Sequence, residues 1–138
     1  MVQRNKKIKD IYVISFDLMN VPEKDRCEMH EWFDKVLNKT YDELDLFDVT
    51  RMLIQKMFLE VAILKAEEYV KNDPFCGQRY DGELLELLLL SESFRSQRDE
   101  NVIKKMLLNV LEKCERHDWI SESAREEFEN MIKEFIGL

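Results

Sequence analysis

Residues 102–114 read VIKKMLLNVLEKC, and this stretch decides the fold class. Its apolar residues recur at intervals of three and four, which places them on one face of an α-helix. Upstream, residues 84–90 read LLELLLL and are apolar on nearly every side, which is typical of a buried helix. Two neighbouring segments of this kind indicate a chain built from packed helices.

The same spacing of apolar residues recurs elsewhere, at residues 29–37, 49–57, 59–70 and 124–135. Asp45 is a good N-cap for the second of these helices, because its carboxylate can accept a hydrogen bond from a free N–H of the first turn. Pro74 predicts the end of the third, since the residue before a proline avoids the helical conformation. Ser121 or Ser123 is expected to begin the last helix, with Glu126 placed for a capping box on Ser123.

The composition agrees with a helical fold. The 138 residues include only three glycines and two prolines, too few for the regularly spaced turns of a sandwich or barrel. A chain of this length can bury one substantial core. We therefore predict an all-α fold, a compact bundle of about five or six helices, in a single domain spanning residues 1–138.

Residues 1–22 differ from the helical residues 23–138. The run Ile11–Phe16 is rich in β-branched and aromatic side chains, as strands are. No second good strand candidate follows it in the chain. The fold prediction therefore includes a short N-terminal extended segment, which packs as an arm, forms a strand, begins a helix or pairs with another chain.

The charge balance limits the classes of partner. The net charge is -8, from 29 acidic and 21 basic side chains, which argues against a nucleic-acid binder. An acidic surface fits a basic protein partner, although the charge could serve solubility alone. Three widely spaced cysteines, Cys27, Cys76 and Cys114, do not suggest a disulfide framework and favour the reducing cytoplasm. No apolar run approaches the length of a membrane span.

The acidic residues are unevenly distributed. Residues 21–49 hold nine acids against four bases, and residues 81–92 hold four acids and no base. Between them lies the main predicted loop, residues 72–82, with two of the three glycines. It also carries Phe75, Arg79 and Tyr80, and aromatic and arginine side chains ringed by charge are typical of tight interfaces. Solvated outer faces of helices would give a similar pattern, and both interpretations remain open here.

Enzyme chemistry has little support in this sequence. It contains no glycine-rich phosphate loop, no G-x-S-x-G and no H-E-x-x-H, so we predict that the protein is not an enzyme and uses no cofactor. Two Cys-x-x-His pairs, at Cys27 with His30 and at Cys114 with His117, could together form a zinc site. Cys114 also continues the apolar stripe of its helix, which favours a core role, so we predict no metal.

The stretch from Trp32 to Leu90 resembles the helical immunity proteins of bacterial contact-dependent growth inhibition (CDI) systems. The most specific motif is Tyr80-Asp81-Gly82-Glu83-Leu84-Leu85, which follows an Asp-Pro turn. The other matching features are Asp48-Val49, Arg51-Met52 with Gln55, Phe58-Leu59, Ala62-Ile63, Lys65-Ala66, Asp73-Pro74-Phe75 and Gly77.

This resemblance implies a cytoplasmic immunity protein that binds and neutralises one cognate toxin, through the toxin's C-terminal domain. The toxins of such systems are most often nucleases, here an RNase by expectation. Gly77 and Gly82 are interpreted as positions with special backbone requirements. Gln55 is expected to be a buried hydrogen-bonding amide rather than a toxin contact.

We expect the toxin to contact acidic residues at and near the main loop: Asp73, Tyr80, Asp81, Glu83 and Glu86, with a second patch at Asp42, Glu43 and Asp45. A basic toxin surface would match these carboxylates. We expect a monomer that binds neither nucleic acid nor membrane. The alternative is a helical adaptor or regulatory subunit for a basic or helical partner, with Ile11–Phe16 as its docking strand.

Overall fold

The computed structural model describes residues 2–137; Met1 and Leu138, the ends of the predicted domain, lie outside the described residues. Nine α-helices follow one another in this range: α1 (Ile8–Ile11), α2 (Phe16–Met19), α3 (Glu28–Leu37), α4 (Leu46–Gln55), α5 (Leu59–Asn72), α6 (Glu83–Leu90), α7 (Glu92–Gln97), α8 (Glu100–Lys113) and α9 (Glu122–Ile136). Two 3₁₀ turns lie at Glu23–Asp25 and Tyr41–Glu43, and residues 2–137 form no strand. The all-α prediction is confirmed, and six of these helices have eight residues or more.

The helix boundaries follow local chemistry. Asp45 caps α4 as predicted: its carboxylate accepts from the N–H of Asp48 at 2.8 Å, and the Asp48 carboxylate accepts from the N–H of Asp45 at 3.1 Å. The last helix begins after Ser121, whose hydroxyl accepts from the N–H of Ala124 at 3.0 Å. The capping box predicted on Ser123 is therefore wrong, because Ser123 already lies inside α9.

Helix α7 was not expected from the sequence. It is six residues long, and Phe94 is its only side chain that reaches the core. Ser91 ends α6 and also begins α7, where its hydroxyl accepts from the N–H of Phe94 at 3.4 Å. A helix this short shows less than two turns of apolar spacing, so periodicity cannot reveal it.

The core lies where α4, α5 and α6 pack together, and α9 packs along α8. Helix α6 is buried as its composition predicts. Its most deeply buried side chains are Leu84, Leu85, Leu88 and Leu89. Buried side chains of α3 to α9, together with Ile8 of α1, form one continuous apolar core.

Asp48 is a buried carboxylate that joins α3 to α4. It accepts hydrogen bonds from the Trp32 indole N–H at 3.0 Å and from the Lys39 ammonium at 2.6 Å. Burial opposes its ionisation, but these bonds and the N–H of Asp45 outweigh burial and hold the pKa of Asp48 below its ordinary value. The Asp48-Val49 motif therefore serves helix packing.

The N-terminal segment packs against the helical body. Ile11 ends α1 and Phe16 begins α2, so these residues form no strand. Ile8 is fully buried, and its N–H donates to the carbonyl of Lys39 at 2.9 Å. The N–H of Val61 donates to the Tyr12 hydroxyl at 3.2 Å, which ties the segment to α5.

No helix within residues 2–137 is long and apolar enough to cross a lipid bilayer.

Candidate functional site

The connection between α5 and α6, residues 73–82, closes on itself and is called the α5–α6 loop below. The Asp73 carboxylate accepts from the N–H of Phe75 at 3.0 Å, which turns the chain directly after α5. The N–H of Gly82 then donates to the carbonyl of Phe75 at 2.8 Å. These bonds bring the two ends of the loop together, and residues 78–81 between them are exposed.

Glu83 holds this loop from inside. Its side chain is fully buried, and it accepts from the N–H groups of Gln78 at 2.9 Å and Arg79 at 3.1 Å. The Arg79 guanidinium also donates to it. Burial opposes ionisation, but the Arg79 bonds and the Gln78 bond outweigh it and lower the pKa of Glu83. Glu83 therefore shapes the loop and offers no carboxylate to a partner's surface.

Both glycines of the loop are required by close contacts. A Cβ on Gly77 would lie 2.1 Å from the carbonyl oxygen of Tyr80. Gly82 has a φ of +85°, and a Cβ there would lie 2.3 Å from the Phe128 ring. The predicted backbone role therefore holds for both residues, and at Gly82 it also allows α9 to approach.

Four aromatic rings attach the C-terminal part of the chain to the loop. Phe75 stacks on His117 with ring centroids 4.1 Å apart, and Phe75 also contacts Trp119 at 5.3 Å and Phe128 at 5.6 Å. His117 Nε2 lies 2.8 Å from a carboxylate oxygen of Asp81. This aromatic cluster, defined as Phe75, His117, Trp119 and Phe128, fixes α9 beside the α5–α6 loop.

A cavity of about 290 Å³, called the cleft below, opens between the α5–α6 loop and α9. Eight residues line it: Arg79, Tyr80, Asp81, Glu86, Ile120, Ala124, Glu127 and Phe128. Ile120 is 92% exposed and Tyr80 is 46% exposed, so both offer apolar area to a molecule that enters the cleft. Burial and the carboxylates of Glu86 and Glu83 raise the pKa of Tyr80.

The predicted contact residues of the loop are only partly brought together. Tyr80, Asp81 and Glu86 line the cleft. Asp73 is exposed at the start of the loop, but it is not among the cleft residues. Glu83 is buried beneath the loop, as described above.

The second predicted patch lies in the turn before α4. Asp42, Glu43 and Asp45 are exposed, yet each carboxylate already accepts internal hydrogen bonds. The Tyr69 hydroxyl near the end of α5 donates to the carbonyl of Leu44 at 3.2 Å. The patch therefore adjoins the end of α5 from which the loop departs, but its residues do not line the cleft.

A sequence model of the family described as CDI immunity proteins matches residues 7–106, well over half of the chain. The chain belongs to the CDI immunity proteins. Membership means that its function is to neutralise a toxin, that its partner is a cognate toxin protein, and that its family is generally not enzymatic. No curated protein matches the chain.

Four residues that line the cleft of this immunity protein were not predicted as contacts from the sequence: Ile120, Ala124, Glu127 and Phe128. All four lie beyond residue 106, the end of the family match. Phe128 belongs to the apolar stripe predicted for residues 124–135, and it is buried. The sequence did hold one sign of an exposed contact residue. Ile120 is apolar, belongs to no helical stripe and directly precedes Ser121, the cap of α9.

The two Cys-x-x-His pairs of the immunity protein lie in different surroundings. Cys27 Sγ is 3.4 Å from His30 Nδ1 at the surface, whereas the buried Cys114 thiol donates to the carbonyl of Val110. No three His, Cys, Asp or Glu side chains of residues 2–137 are grouped so that they could hold a metal ion. Burial raises the pKa of the Cys114 thiol to about 11, as expected for a packing role.

The environment of Gln55 differs from what was expected when the resemblance was drawn. We expected a buried amide, but Gln55 is exposed at the end of α4. The next residue, Lys56, adopts the left-handed conformation at a φ of 56°, which turns the chain away and leaves Gln55 on the outside.

Proposed function

We propose that this immunity protein acts in the cytoplasm, where one molecule binds the C-terminal domain of one nuclease toxin through the cleft. A single observation carries the proposal: exposed apolar side chains and carboxylates share one concave site. Tyr80 and Ile120 supply the apolar contact area, and Asp81, Glu86 and Glu127 supply the charge. Aromatic anchors with surrounding charge are the usual composition of energetically dominant interface residues.

The chemistry of nucleases supports the choice of toxin. A nuclease must present basic side chains to the phosphates of its substrate. A protein that places carboxylates against those side chains competes with the substrate and blocks access to it. Attraction between an acidic inhibitor and a basic toxin also speeds association, which suits a toxin that arrives without warning.

The second patch is expected to attract the toxin over long range rather than to contact it tightly. Its carboxylates already bond to Arg4, Thr40 and the start of α4, and they line no cavity with the apolar residues of the cleft. We therefore assign Asp42, Glu43 and Asp45 a role in long-range attraction, with tight contact made at the cleft.

The test measures binding of the toxin domain encoded beside the immunity gene. Asp81→Asn combined with Glu86→Gln removes two cleft charges while keeping side-chain size. We expect the dissociation constant to rise at least about tenfold, because charged contacts at an interface contribute both to rate and to affinity. Glu112→Gln on α8 is the matched control, since Glu112 is exposed and lies outside the cleft.

Three measurements separate the parts of the proposal. Calorimetry or surface plasmon resonance gives the affinity, and thermal unfolding shows whether the variant is folded. Cleavage of RNA and DNA substrates by the toxin, titrated with the immunity protein, tests the nuclease assignment. A folded double variant that binds like the Glu112→Gln control would overturn the binding site, and a toxin that cleaves no nucleic acid would overturn its assigned activity.

A further inference from the structure

The two walls of the cleft differ in their relation to the family. The wall built by the α5–α6 loop and α6 lies within residues 7–106, which the family model matches. The opposite wall, Ile120 with Ala124, Glu127 and Phe128 of α9, lies wholly outside that match. Four of the eight lining residues therefore lie within the family match, and four lie beyond it.

Ile120 is held outward by both of its neighbours. On one side, Trp119 packs into the aromatic cluster, and its indole N–H donates to the carbonyl of Cys114 at 2.9 Å. On the other side, Ser121 caps α9. The backbone at Ile120 is thus fixed while its side chain is 92% exposed. An apolar group presented on a fixed backbone loses little conformational freedom when a partner covers it.

Glu127 is an available carboxylate on the same wall. It lies one helical turn after Ala124, which places both side chains on the face of α9 that borders the cleft. Among the described residues, Glu127 forms no ion pair, whereas Arg79 is paired with Glu83 and Asp81 lies beside His117. The Glu127 carboxylate is therefore available to pair with a basic group of a partner.

We propose, resting on the function proposed above, that Ile120 and Glu127 determine which toxin this immunity protein recognises. The apolar and acidic lining of the cleft suits one lysine or arginine side chain of the toxin. Its aliphatic stem lies against Ile120 and Tyr80, and its charged head reaches Glu127 and Glu86. Long basic side chains commonly divide their contacts in this way between apolar and charged surfaces. Because Ile120 and Glu127 are exposed and lie beyond the family match, they can differ between immunity proteins without changing the shared fold.

The first experiment uses the full chain and its cognate toxin domain. Ile120→Ala and Glu127→Gln are each expected to raise the dissociation constant about fivefold to fiftyfold, chiefly through faster dissociation. The matched controls are Val102→Ala, an exposed apolar residue of α8, and Glu126→Gln, the exposed neighbour of Glu127. Both controls are expected to bind within about twofold of the unmodified protein.

A second experiment identifies the partner group. Glu127→Lys should weaken binding more than Glu127→Gln, because it places like charges together. Each lysine and arginine of the toxin domain is then changed to glutamate, and binding to the Glu127→Lys variant is measured. Restored affinity for one such toxin variant supports the proposed contact, and restoration by none of them overturns it.

The outcomes distinguish this inference from the proposed function. If Asp81→Asn with Glu86→Gln weakens binding while folded Ile120→Ala and Glu127→Gln match their controls, the specificity role is overturned and the cleft remains the binding site. If neither set weakens binding, both proposals are overturned. Thermal unfolding of every variant separates a lost contact from a lost fold.

Discussion

At the scale of single residues, Glu83 is the carboxylate around which the α5–α6 loop closes. It is fully buried and accepts hydrogen bonds from the N–H groups of Gln78 and Arg79. The position of Glu83 among acidic loop residues had suggested a toxin contact. The sequence could not separate it from Asp81, because only the closed loop decides which carboxylate turns inward.

The protonation of Glu83 should be visible in stability. Its pKa is lowered in the folded protein, so its contribution is present at neutral pH and is lost as the pH falls below the ordinary carboxylate value near 4.3. We expect Glu83→Gln to lower the free energy of unfolding by about 2 kcal/mol at pH 7. The difference from the unmodified protein should shrink towards pH 3.

Urea unfolding at both pH values checks this expectation, with Glu126→Gln as the exposed control. An equal deficit at pH 7 and pH 3 would mean that the charge of Glu83 does not stabilise the loop.

At the scale of helices, local chemistry predicted much of the framework. The Asp45 cap, the end of α5 before Pro74 and the buried α6 all follow from residue types and spacing. The contact between α9 and the loop does not, because it depends on Gly82 and Phe128, which are far apart in the sequence. Single-sequence periodicity reports which face of a helix is buried but not what covers it.

Gly82→Ala should disrupt the contact between the loop and α9. The substitution adds a Cβ 2.3 Å from the Phe128 ring at a φ of +85°. Gly137 has a similar φ of +87°, but a Cβ there would meet no atom within 4 Å. We expect Gly82→Ala to cost about 2–4 kcal/mol of stability, from strain and overpacking together, and Gly137→Ala about 1 kcal/mol.

Denaturant unfolding of the two glycine variants measures the difference directly. Equal losses would indicate that α9 can move away from the loop without penalty.

At the scale of the molecule, part of the excess negative charge lies at the cleft. The sequence predicted a toxin contact at and near the main loop. Of the residues predicted there, Tyr80, Asp81 and Glu86 line the cleft. The other wall could not be predicted, since it comes from α9, more than thirty residues downstream of the loop. A surface assembled from distant segments requires the packing of the whole chain.

The net charge of -8 leads to an expectation for association with the toxin domain. Raising sodium chloride from about 0.05 M to 0.5 M should lower the association rate constant roughly tenfold, because salt screens attraction between separated charges. The dissociation rate should change much less. Stopped-flow measurements check this, and Asp81→Asn with Glu86→Gln should reduce the salt dependence. A rate that is indifferent to salt would argue against electrostatic attraction of the toxin.

The arrangement of the aromatic rings also gives the protein an optical signal. Trp32 is buried between helices and bonded to Asp48, whereas Trp119 stands against His117, 4.5 Å between ring centroids, beside the cleft. A toxin that covers the cleft changes the surroundings of Trp119 and leaves those of Trp32 unchanged. The emission of Trp119 can therefore report occupancy of the site in an unlabelled protein, with Trp32 as an internal reference.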